Sequence, residues 1–370
     1  MIEWEHETLF SDGDEFFSAF ARAITKAKHS IYVETYIFDL DALGKKIIEL
    51  LIEAASRGVD VKVLIDGLGS LAWSNHDAES LKKRGIEIKF FHPLLWQRPS
   101  FILRIPNLNL MNQRDHRKLY LVDEKIAFVG SMNISARHLK SIVHKKAWRD
   151  TSVILTGEPV SALLDSFWIA WSGATGPHEA RKRLKRFFSK LKVPILFKHT
   201  RHQRRLYLTM LISRINRASN RLWITTPYFV PNKDLMAAIT DAGIRGVDVR
   251  ALFPKTSDFF GVKYAMGAYY TNLLKSKIRI FEYIPSMLHA KILIIDDFVS
   301  LGSSNLNHRS FFKDLEVDVV LNRPKSLEIL SDQFEHDLQS SDELDFNKWQ
   351  KRSLYRKLLE RLFYQLRGIL

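Results

Sequence analysis

Two short motifs in the sequence combine residue types that suit acid–base and nucleophilic chemistry. In each, a histidine is followed two residues later by a lysine, seven residues later by an aspartate, and then by Gly-Ser-x-Asn. The members are His116, Lys118, Asp123, Ser131 and Asn133 in the first copy, and His289, Lys291, Asp296, Ser303 and Asn305 in the second. One His-x-Lys-(x)4-Asp match arises by chance about 0.05 times in a chain of this composition. Two copies with the same continuation therefore indicate a functional site.

Each histidine stands beside an apolar run that is typical of a β-strand, residues 118–122 in the first copy and 291–295 in the second. Residues i and i+2 of a strand face the same side. The histidine and lysine of each motif are therefore expected to project together into one pocket. The serine and asparagine of each motif repeat the same spacing on the next segment.

The chemistry that fits these groups is displacement at a phosphodiester, which needs a nucleophile, a proton donor and positive charge near the free oxygens. Neutral imidazole serves as the nucleophile and a second imidazole as the acid, because histidine titrates near neutral pH. The lysines and the substrate-binding candidates are expected to hold the phosphoryl oxygens as fixed donors; those candidates are Ser131, Asn133, Ser303 and Asn305. Such donors replace a metal ion, so we expect neither a metal nor another cofactor.

The motif aspartates Asp123 and Asp296 belong to the candidate catalytic set by their place in the motif, but their spacing favours a structural role. Asp123 lies seven positions from His116, roughly 23 Å along a strand at ~3.3 Å per residue, and on the opposite face. We therefore expect both aspartates to act in a turn or between lobes.

Each histidine also needs a group that fixes its tautomer. Another strand-like segment follows each motif and carries Asp150 in the first copy and Glu316 in the second, at corresponding places. We predict that these two carboxylates orient the histidines. The alternative is that each is an acid at a sheet edge that faces solvent.

A second, independent repeat indicates which elements position these groups. Residues 57–64 (RGVDVKVL) recur as residues 245–252 (RGVDVRAL), and each copy follows a strand-like and then a helix-like segment. Such alternation predicts an α/β fold in which a mainly parallel β-sheet is flanked by helices. Two copies predict two similar lobes, residues 1–176 and 206–342, that are related by pseudo-twofold symmetry and share one site.

The first copy carries an apolar insert, residues 94–112, that has no counterpart in the second copy. The insert contains Trp96, Phe101 and two prolines, so a regular core element is not expected there. It either packs back on its lobe or forms a lip beside the site that contacts lipid, since exposed apolar patches mark interaction surfaces.

The formal net charge of +15 indicates an anionic partner, either nucleic acid or a membrane surface. Residues 181–205 hold eleven basic and no acidic residues, and residues 348–370 hold seven basic residues and one acidic residue. We assign residues 177–205 to a basic linker and residues 343–370 to a basic amphipathic C-terminal helix. This helix either lies in a lipid interface or docks its apolar face on its own domain.

Three classes of protein are disfavoured by simple features of the chain. It has no cysteine, which excludes a disulfide framework, a cysteine zinc site and a cysteine nucleophile. No run approaches the roughly 18 apolar residues that a membrane span needs. The N-terminal residues lack the basic-then-apolar pattern of a secretory signal. We therefore expect no transmembrane helix and no signal peptide.

On the residues quoted above, the chain resembles the phospholipase D superfamily, whose members carry two such histidine motifs. Within it, the chain is most similar to bacterial cardiolipin synthases of the phospholipase D type. The resemblance covers residues 15–335 and includes ETYIF (34–38), LIDGLGS (64–70) and GSSNLNHRS (302–310). Two features depart from the family pattern. Five residues rather than six separate Asp296 from Gly302, and the N-terminal spanning helices of the long synthases are not seen, as in the short, peripheral kind.

The resemblance implies a phosphatidyl transferase that works in two steps. One histidine attacks phosphorus and forms a phosphohistidine, while the other protonates the departing alcohol and deprotonates the incoming one. We assign His116 as the nucleophile and His289 as the acid–base, although the pseudo-symmetry leaves the opposite assignment open. The expected partners are anionic phospholipids such as phosphatidylglycerol, at the surface of the bacterial cytoplasmic membrane; the oligomeric state is not predicted.

Two other classes of function compete with this expectation. The same intermediate could be hydrolysed, in a phosphodiesterase that acts on lipids or nucleic acid. A non-catalytic binding protein with a decayed site is the other alternative, and the completeness of both motifs argues against it. Nucleic acid is disfavoured because the basic residues are concentrated outside the catalytic repeats and beside an apolar insert.

Overall fold

The computed structural model describes residues 2–98, 112–173 and 193–366. The chain divides into two compact units. The first lobe comprises Met1–His144 and Thr151–Ile195, and the second lobe comprises Lys145–Asp150 and Leu196–Leu370. The described residues of the predicted linker, 193–205, and of the predicted C-terminal segment, 343–366, fall within these units. A short stretch from the first half of the sequence, Lys145–Asp150, belongs to the second lobe.

The first lobe contains seven described strands and five described helices. The strands are β1 (His6–Phe10), β2 (Ser30–Thr35), β3 (Asp60–Asp66), β4 (Ile86–Phe91), β5 (Lys118–Val122), β6 (Ile126–Gly130) and β7 (Ser152–Thr156). The helices are α1 (Gly13–Lys26), α2 (Ala42–Ser56), α3 (Asn75–Lys82), α4 (Lys140–Val143) and α5 (Val160–Gly173). Short 3₁₀ turns occur at Leu95–Gln97 and Ala136–His138, and a third, His144–Lys146, falls where the chain passes from one unit to the other.

The second lobe repeats the central elements of the first lobe and has further strands and helices. Its strands are β8 (Ile195–Phe197), β9 (Arg221–Thr225), β10 (Phe229–Val230), β11 (Asp248–Pro254), β12 (Arg279–Tyr283), β13 (Ile292–Ile295), β14 (Phe298–Gly302), β15 (Leu306–Asn307), β16 (Val317–Leu321) and β17 (Ser341–Glu343). Its helices are α6 (Arg201–Arg217), α7 (Lys233–Ile244), α8 (Phe260–Lys275), α9 (His308–Phe312), α10 (Pro324–Gln339), α11 (Phe346–Gln350) and α12 (Leu354–Gln365).

The repeated Arg-Gly-Val-Asp-Val segment is explained by the way two helices end. Gly58 follows α2 and Gly246 follows α7, with positive φ angles of 89° and 92° that favour glycine. The amide of the next residue, Val59 or Val247, donates to a carbonyl five residues earlier, which closes a Schellman cap in each lobe. The valine then enters the core, and the following aspartate begins the next strand, β3 or β11.

The strand order confirms an α/β fold with two similar lobes. The first sheet runs β1-β7-β6-β5-β2-β3-β4, and the second runs β17-β12-β11-β9-β13-β14-β16-β8. The central strands correspond one to one, from β7-β6-β5-β2-β3-β4 to β16-β14-β13-β9-β11-β12. The pseudo-twofold relation between the lobes stays a prediction.

The expectation of mainly parallel sheets is wrong, because both sheets are mixed. Parallel pairing occurs between β2, β3 and β4 and between β9, β11 and β12, where helices connect successive strands. Strands β5 and β6, like β13 and β14, are joined by tight turns and pair antiparallel. A parallel pair needs a crossover of a dozen or more residues, which these turns cannot supply.

Apolar side chains from the helices and from the sheets form the cores. In the first lobe, Phe16 and Phe20 of α1 pack on Tyr120 and Phe128, and the rings of Phe20 and Tyr120 stack at 4.7 Å. In the second lobe, Phe253 of β11 stacks on Tyr270 of α8 at 5.5 Å. These contacts hold the strands whose ends carry the histidine motifs.

The C-terminal segment is not the single helix predicted for residues 343–370. Its described part forms the end of β17, then α11, then α12, with Asp345 capping α11 and Ser353 capping α12. Residues 367–370 lie outside the described part of the chain, as do residues 99–111 of the insert and 174–192 of the basic segment.

Candidate active site

In each lobe the histidine motif lies at the carboxyl end of the parallel strands. Lys118 begins β5 and pairs with Thr35, the last residue of β2, so His116 lies just beyond that end. In the second lobe, β13 begins one residue after Lys291 and pairs with the last residue of β9 in the same way. Ligands of open α/β sheets bind outside the carboxyl ends of the strands.

His116 and Lys118 lie together beside the ring of Tyr36. The Lys118 ammonium donates to the backbone oxygen of His116 and lies 5.3 Å from the centre of the Tyr36 ring. The ring centres of Tyr36 and His116 are 5.0 Å apart. Lys118 is buried and His116 is half-buried. This arrangement presents a largely dehydrated positive charge and an accessible imidazole at one place.

The residues on either side of His116 form a buried ionic network that the sequence did not reveal. Arg117 makes a bidentate pair with Asp115, at 3.0 and 3.1 Å, and donates to the hydroxyl of Ser166 at 2.9 Å. Its guanidinium also contacts the carboxyl of Glu34 on β2. Asp115, Arg117 and Glu34 are almost completely buried. The backbone of His116 is therefore fixed from both sides.

The two carboxyls that share Arg117 have opposite protonation preferences. Burial raises the pKa of Glu34 well above its usual range, and the neighbouring Asp115 adds to this effect. Burial is the largest influence on Asp115 and opposes its ionisation, but the charge and hydrogen bonds of Arg117 and the hydrogen bond to Glu34 together outweigh it, and the pKa of Asp115 falls below its usual range. The consistent state at neutral pH is a neutral Glu34 beside an ionised Asp115–Arg117 pair, since a lone buried charge is costly.

A second buried carboxylate supports the same segment. Asp66, at the end of β3, accepts from the Asp115 amide at 2.9 Å and lies 3.4 Å from Nε of Arg114. Burial raises the pKa of Asp66 to about 7, against the opposing effect of Arg114. The second lobe lacks this network, because the residues flanking His289 are Leu288 and Ala290.

His289 has a carboxylate partner, Asp150. Oδ2 of Asp150 lies 2.7 Å from Nδ1 of His289, and both side chains are buried. A carboxylate at this position favours the tautomer that carries the proton on Nδ1 and leaves the lone pair of Nε2 available. The ring of Trp148 lies 5.1 Å from the imidazole and helps to fix its plane.

Lys291 lies against the imidazole of His289. Its Nζ is 3.2 Å from Nε2 and 3.3 Å from Nδ1, and it donates to the backbone oxygen of His289 at 2.6 Å. Burial lowers the pKa of Lys291 to about 8, although Asp150 and Glu316 oppose this effect. Lys291 is thus a desolvated ammonium positioned to bind an anion that the imidazole contacts.

Asp150 reaches His289 through the stretch Lys145–Asp150, which we call the strap. The Arg149 amide donates to the Met287 oxygen at 2.9 Å, and the His289 amide donates to the Arg149 oxygen at 2.8 Å. Arg149 also forms a buried ion pair with Asp337 of α10 at 2.8 Å. The strap therefore holds Asp150 in place through backbone and ionic contacts within the second lobe.

Glu316 occupies the place in the second lobe that corresponds to Asp150. Each carboxylate stands two residues before the strand residue that pairs with the glycine of Gly-Ser-x-Asn, Gly130 or Gly302. Glu316 is buried, and its Oε1 accepts from the hydroxyl of Ser310 at 2.5 Å. Its predicted orienting role stays a prediction.

The Gly-Ser-x-Asn segments are buried, and their serines bind the protein backbone. The Ser131 hydroxyl donates to the Thr151 oxygen at 3.0 Å, and the Ser303 hydroxyl donates to the Val317 oxygen at 3.3 Å. Oδ1 of Asn133 accepts from the Ile37 amide at 3.1 Å. These contacts tie each segment to the neighbouring strands, and the predicted contact of these side chains with substrate stays a prediction.

The second lobe has its own buried ion pair, on the Gly-Ser-x-Asn segment. Nζ of Lys198 lies 2.5 Å from Oδ2 of Asp318, contacts the Ser304 hydroxyl, and stands 3.5 Å from the centre of the Tyr207 ring. The Ser304 amide donates to Oδ1 of Asp318 at 3.1 Å. Lys198 belongs to the predicted basic linker, but it is a buried structural residue rather than a surface charge.

Asp123 and Asp296 act in turns, as their spacing indicated, and the geometry does not support their place in the catalytic set. Asp123 accepts from the amides of residues 28, 29 and 30 at 2.7–3.1 Å. Asp296 accepts from the amides of residues 219, 220 and 221 at 2.8–3.0 Å. Burial is the largest influence on each carboxylate and opposes ionisation, but these amides outweigh it and lower both pKa values. Each aspartate fixes the start of the central strand, β2 or β9.

Two further features of the described residues bear on the site. No group of three or more His, Asp or Glu side chains within residues 2–98, 112–173 and 193–366 is arranged to hold a metal ion. Among the helices of those same ranges, none combines the length and apolarity that crossing a membrane would require.

Solved structures define the fold class first. Phosphatidylserine synthase of Haemophilus influenzae Rd KW20 matches with a TM-score of 0.74 at 16% identity, over 100% of this chain and 96% of that one. Polyphosphate kinase of Porphyromonas gingivalis matches with a TM-score of 0.65 at 14% identity, over 99% of this chain and 54% of that one. At such identities the likeness shows the fold alone, a two-lobed α/β fold. In this chain, each lobe carries one histidine–lysine motif.

Sequence comparison defines the family. The profile described as "Cardiolipin synthase, PLD-like domain" matches residues 20–168 and 211–338. Cardiolipin synthase of Halalkalibacterium halodurans is 32% identical over 359 residues, 95% of this chain and 70% of that protein. Cardiolipin synthase 2 of Bacillus anthracis is 33% identical over 381 residues, 100% of this chain and 72% of that protein. The chain belongs to the cardiolipin synthase family of phospholipase D-like proteins, which confirms the predicted family and, at family level, a phosphatidyltransferase.

Proposed function

We propose that the chain transfers a phosphatidyl group from one anionic phospholipid to a hydroxyl group of another, through a phosphohistidine. With phosphatidylglycerol as both donor and acceptor, the products are cardiolipin and glycerol. Family membership supports phosphatidyl transfer, and the relatives named above are cardiolipin synthases. The observation that carries the proposal is the 2.7 Å pair of Asp150 and His289 beside Lys291. This pair equips a buried imidazole to exchange a proton with an alcohol.

In the first step, a ring nitrogen of His116 attacks phosphorus and the bond to the glycerol oxygen breaks. The departing oxygen takes the proton from Nε2 of His289, which leaves a phosphatidyl group on His116 and a neutral His289. Asp150 favours the protonated form of His289 before this transfer, as the carboxylate of a catalytic triad does. We propose His289 as this acid and His116 as the nucleophile, and the experiment with the nitrophenyl substrate described below tests the assignment.

In the second step, Nε2 of His289 removes the proton from the acceptor hydroxyl, whose oxygen attacks phosphorus. The bond between phosphorus and His116 breaks, its electron pair returns to the imidazole, and His289 is again protonated. Lys118 and Lys291 supply positive charge to the free phosphoryl oxygens in both steps, where a dehydrated site makes that charge most effective. If water replaces the acceptor alcohol, the same sequence yields phosphatidic acid.

Exposed apolar side chains near the site support a lipid substrate rather than nucleic acid. In the first lobe, Leu68 and Leu71 follow β3, and Leu95 and Trp96 follow β4; all four are exposed. The amide of Gln97 ties these two loops together, because it donates to backbone oxygens of residues 67 and 70. The loops lie at the carboxyl end of the parallel strands, as the histidine does. We propose that this edge works at the surface of the bacterial cytoplasmic membrane.

Purified protein and phosphatidylglycerol vesicles, without added metal, test the reaction. We expect cardiolipin and glycerol as products and no cardiolipin from either His116→Asn or His289→Asn. Phosphatidic acid as the main product would replace transfer by hydrolysis. Full activity in either histidine variant would exclude the proposed mechanism.

A substrate whose leaving group needs no protonation separates the roles of the two histidines. With a p-nitrophenyl phosphodiester, we expect His289→Asn to release nitrophenolate in a burst and to retain acid-labile phosphorus on the protein. His116→Asn should show neither the burst nor the label. The reverse pattern would exchange the two assignments.

A further inference from the structure

Helix α12 is docked with its charged side facing the protein. Glu360, the only acidic residue of the helix, is buried against α8. Its carboxylate accepts from Arg352 at 2.8 and 2.9 Å and from Arg356 at 3.3 Å. Gly267 of α8 makes room for this carboxylate, since a Cβ there would lie 2.8 Å from Oε1. The buried ionic cluster thus fixes the rotation of α12 about its own axis.

Two aromatic residues complete the docked side of α12. Phe363 lies 6.0 Å from the ring centre of Phe260 and stacks on Tyr264 at 5.9 Å. Tyr364 lies 5.5 Å from Tyr269 of the same helix. The helix is therefore held along its length, and its opposite side is turned away from the lobe.

The side that faces away from the lobe is apolar. We call it the leucine face: Leu354, Tyr355, Leu358, Leu362 and Leu366 are 83%, 70%, 65%, 55% and 40% exposed. Four of these residues follow one another at intervals of four, so they form one continuous row. A surface helix of a soluble protein normally directs its apolar row to the core. An exposed apolar face of this extent marks a surface that another partner covers.

The charges around the leucine face indicate which partner covers it. Arg361 of α12, and Lys348 and Lys351 in the segment just before it, are exposed, whereas the only carboxylate of α12 is neutralised inside the lobe. Lysine and arginine near an anionic bilayer contribute favourably, and leucines enter the boundary between headgroups and acyl chains. Packing of two copies through this face would bring like charges together, which disfavours a dimer.

We propose that α12 lies in the interface of an anionic lipid bilayer, with the leucine face in the acyl boundary and the basic side chains at the headgroups. This inference rests on the proposed function in one respect: it identifies the surface through which the proposed active site reaches its lipid substrate. Phe259 and Phe260, at the start of α8, are exposed and extend the apolar surface to the carboxyl end of β11. The histidine motif of the second lobe lies at that same end of the parallel strands.

Vesicle binding of the full chain tests the proposal without any turnover. Vesicles of phosphatidylcholine with about one third phosphatidylglycerol are compared with phosphatidylcholine alone, at low and high salt. We expect Leu358→Glu with Leu362→Glu to weaken binding at least about tenfold, equivalent to about 1.4 kcal/mol. The matched control, Leu206→Glu with Ile329→Glu, alters two other exposed apolar residues of the same lobe and should bind as the wild type does.

A labelling experiment gives a positive signal that does not depend on loss of binding. Because the chain has no cysteine, Leu362→Cys and Leu206→Cys each provide a single thiol for an environment-sensitive dye. We expect a blue shift on anionic vesicles at position 362 and none at position 206. Circular dichroism of all variants checks that they are folded.

Three results would overturn the proposal. The first is unchanged vesicle binding in the double leucine variant; the second is equal shifts at the two labelled positions. The third is a wild-type dimer that dissociates in the double variant while vesicle binding persists, which would assign the leucine face to a second copy. Because binding is measured without catalysis, failure of the proposed transfer reaction would leave these outcomes unchanged.

Discussion

Replacing Glu34 and Asp115 separately tests the charge distribution inferred for the buried network of the first lobe. Burial raises the pKa of Glu34 well above its usual range, whereas at Asp115 Arg117 and the hydrogen bond to Glu34 together outweigh burial and lower the pKa. Glu34→Gln therefore exchanges one neutral group for another of similar shape, and we expect a cost below about 1 kcal/mol. Asp115→Asn removes the bidentate anion of Arg117, and breaking a buried pair in this way costs about 3–5 kcal/mol.

The same assignment predicts how stability varies with pH. The unfolded chain loses the Glu34 proton near the usual value of 4.5, whereas the folded chain retains it to higher pH. The stability that this proton contributes is complete below pH 4.5 and is lost as the pH rises toward the folded-state pKa. Glu34→Gln removes this contribution. Asp66, with a pKa raised to about 7, leaves a residual slope between about pH 4 and 7 in the variant.

Urea titrations monitored by hydrogen exchange provide the measurement. Peptides that contain β2 and β5 report the unfolding of the first lobe, which is necessary because two lobes need not unfold together. A Glu34→Gln variant as unstable as Asp115→Asn at pH 7 would refute the assignment. So would a Glu34→Gln variant whose pH dependence above 4.5 equals that of the wild type.

Three further predictions concern the chemistry and the turns. Asp150→Asn should lower kcat by about 10³–10⁴-fold, because the imidazole of His289 loses the carboxylate that stabilises its protonated form. Steady-state assays measure this loss, and a folded variant that keeps nearly full activity would contradict the prediction. If Lys291 acts as a cation, kcat should fall above about pH 8 rather than near 10.5, because burial lowers its pKa; a pH profile that stays flat to pH 10 would exclude that role. Asp123→Ala and Asp296→Ala should each lower the free energy of unfolding by roughly 2–4 kcal/mol, because each loses three amide hydrogen bonds. The fraction of each variant that remains folded should keep the wild-type kcat. A large loss of kcat without unfolding would return these residues to the catalytic set.

The features that the sequence predicted well are local or repeated. Strands β2, β3, β9 and β11 coincide with apolar runs, and the i, i+2 spacing correctly places Lys118 beside His116 and Lys291 beside His289. The corresponding positions of Asp150 and Glu316 were also found from the repeat alone. These inferences depend on strand periodicity and register, which neighbouring residues determine.

The features that the sequence did not predict depend on contacts between distant segments. β5 pairs antiparallel with β2, a strand that lies far earlier in the chain. The alternation of strands and helices in the sequence does not reveal this pairing. Glu34 and Arg117 are buried although charged residues are usually exposed. Their signal was the alternation of Asp115 and Arg117 with His116 and Lys118 in the sequence immediately before β5, which indicates that the two pairs point in opposite directions.

The C-terminal helix shows how a correct periodicity can yield an incomplete conclusion. The apolar row of α12 predicted a helix, and docking of that row on the protein was one of the two expected outcomes. The structure instead docks the helix through Glu360, Arg352 and Arg356, residues that by composition belong to the solvent side. Burial of an acid is tolerated here because two arginines compensate it, and Gly267 lets it approach.

The two lobes share a fold and a motif, but different buried ions surround the backbone that carries each histidine. In the first lobe, the ions flank His116 itself, through Asp115 and Arg117, and restrain the backbone that carries it. In the second lobe, the flanking positions are neutral, and a carboxylate from the strap contacts the imidazole directly. A nucleophile must be held at a fixed distance from phosphorus, which a rigid backbone provides. An acid–base must have its charged form stabilised, which a carboxylate provides. The restrained backbone around His116 is consistent with its proposed role as the nucleophile, and the contact with Asp150 is consistent with the proposed role of His289 as the proton carrier.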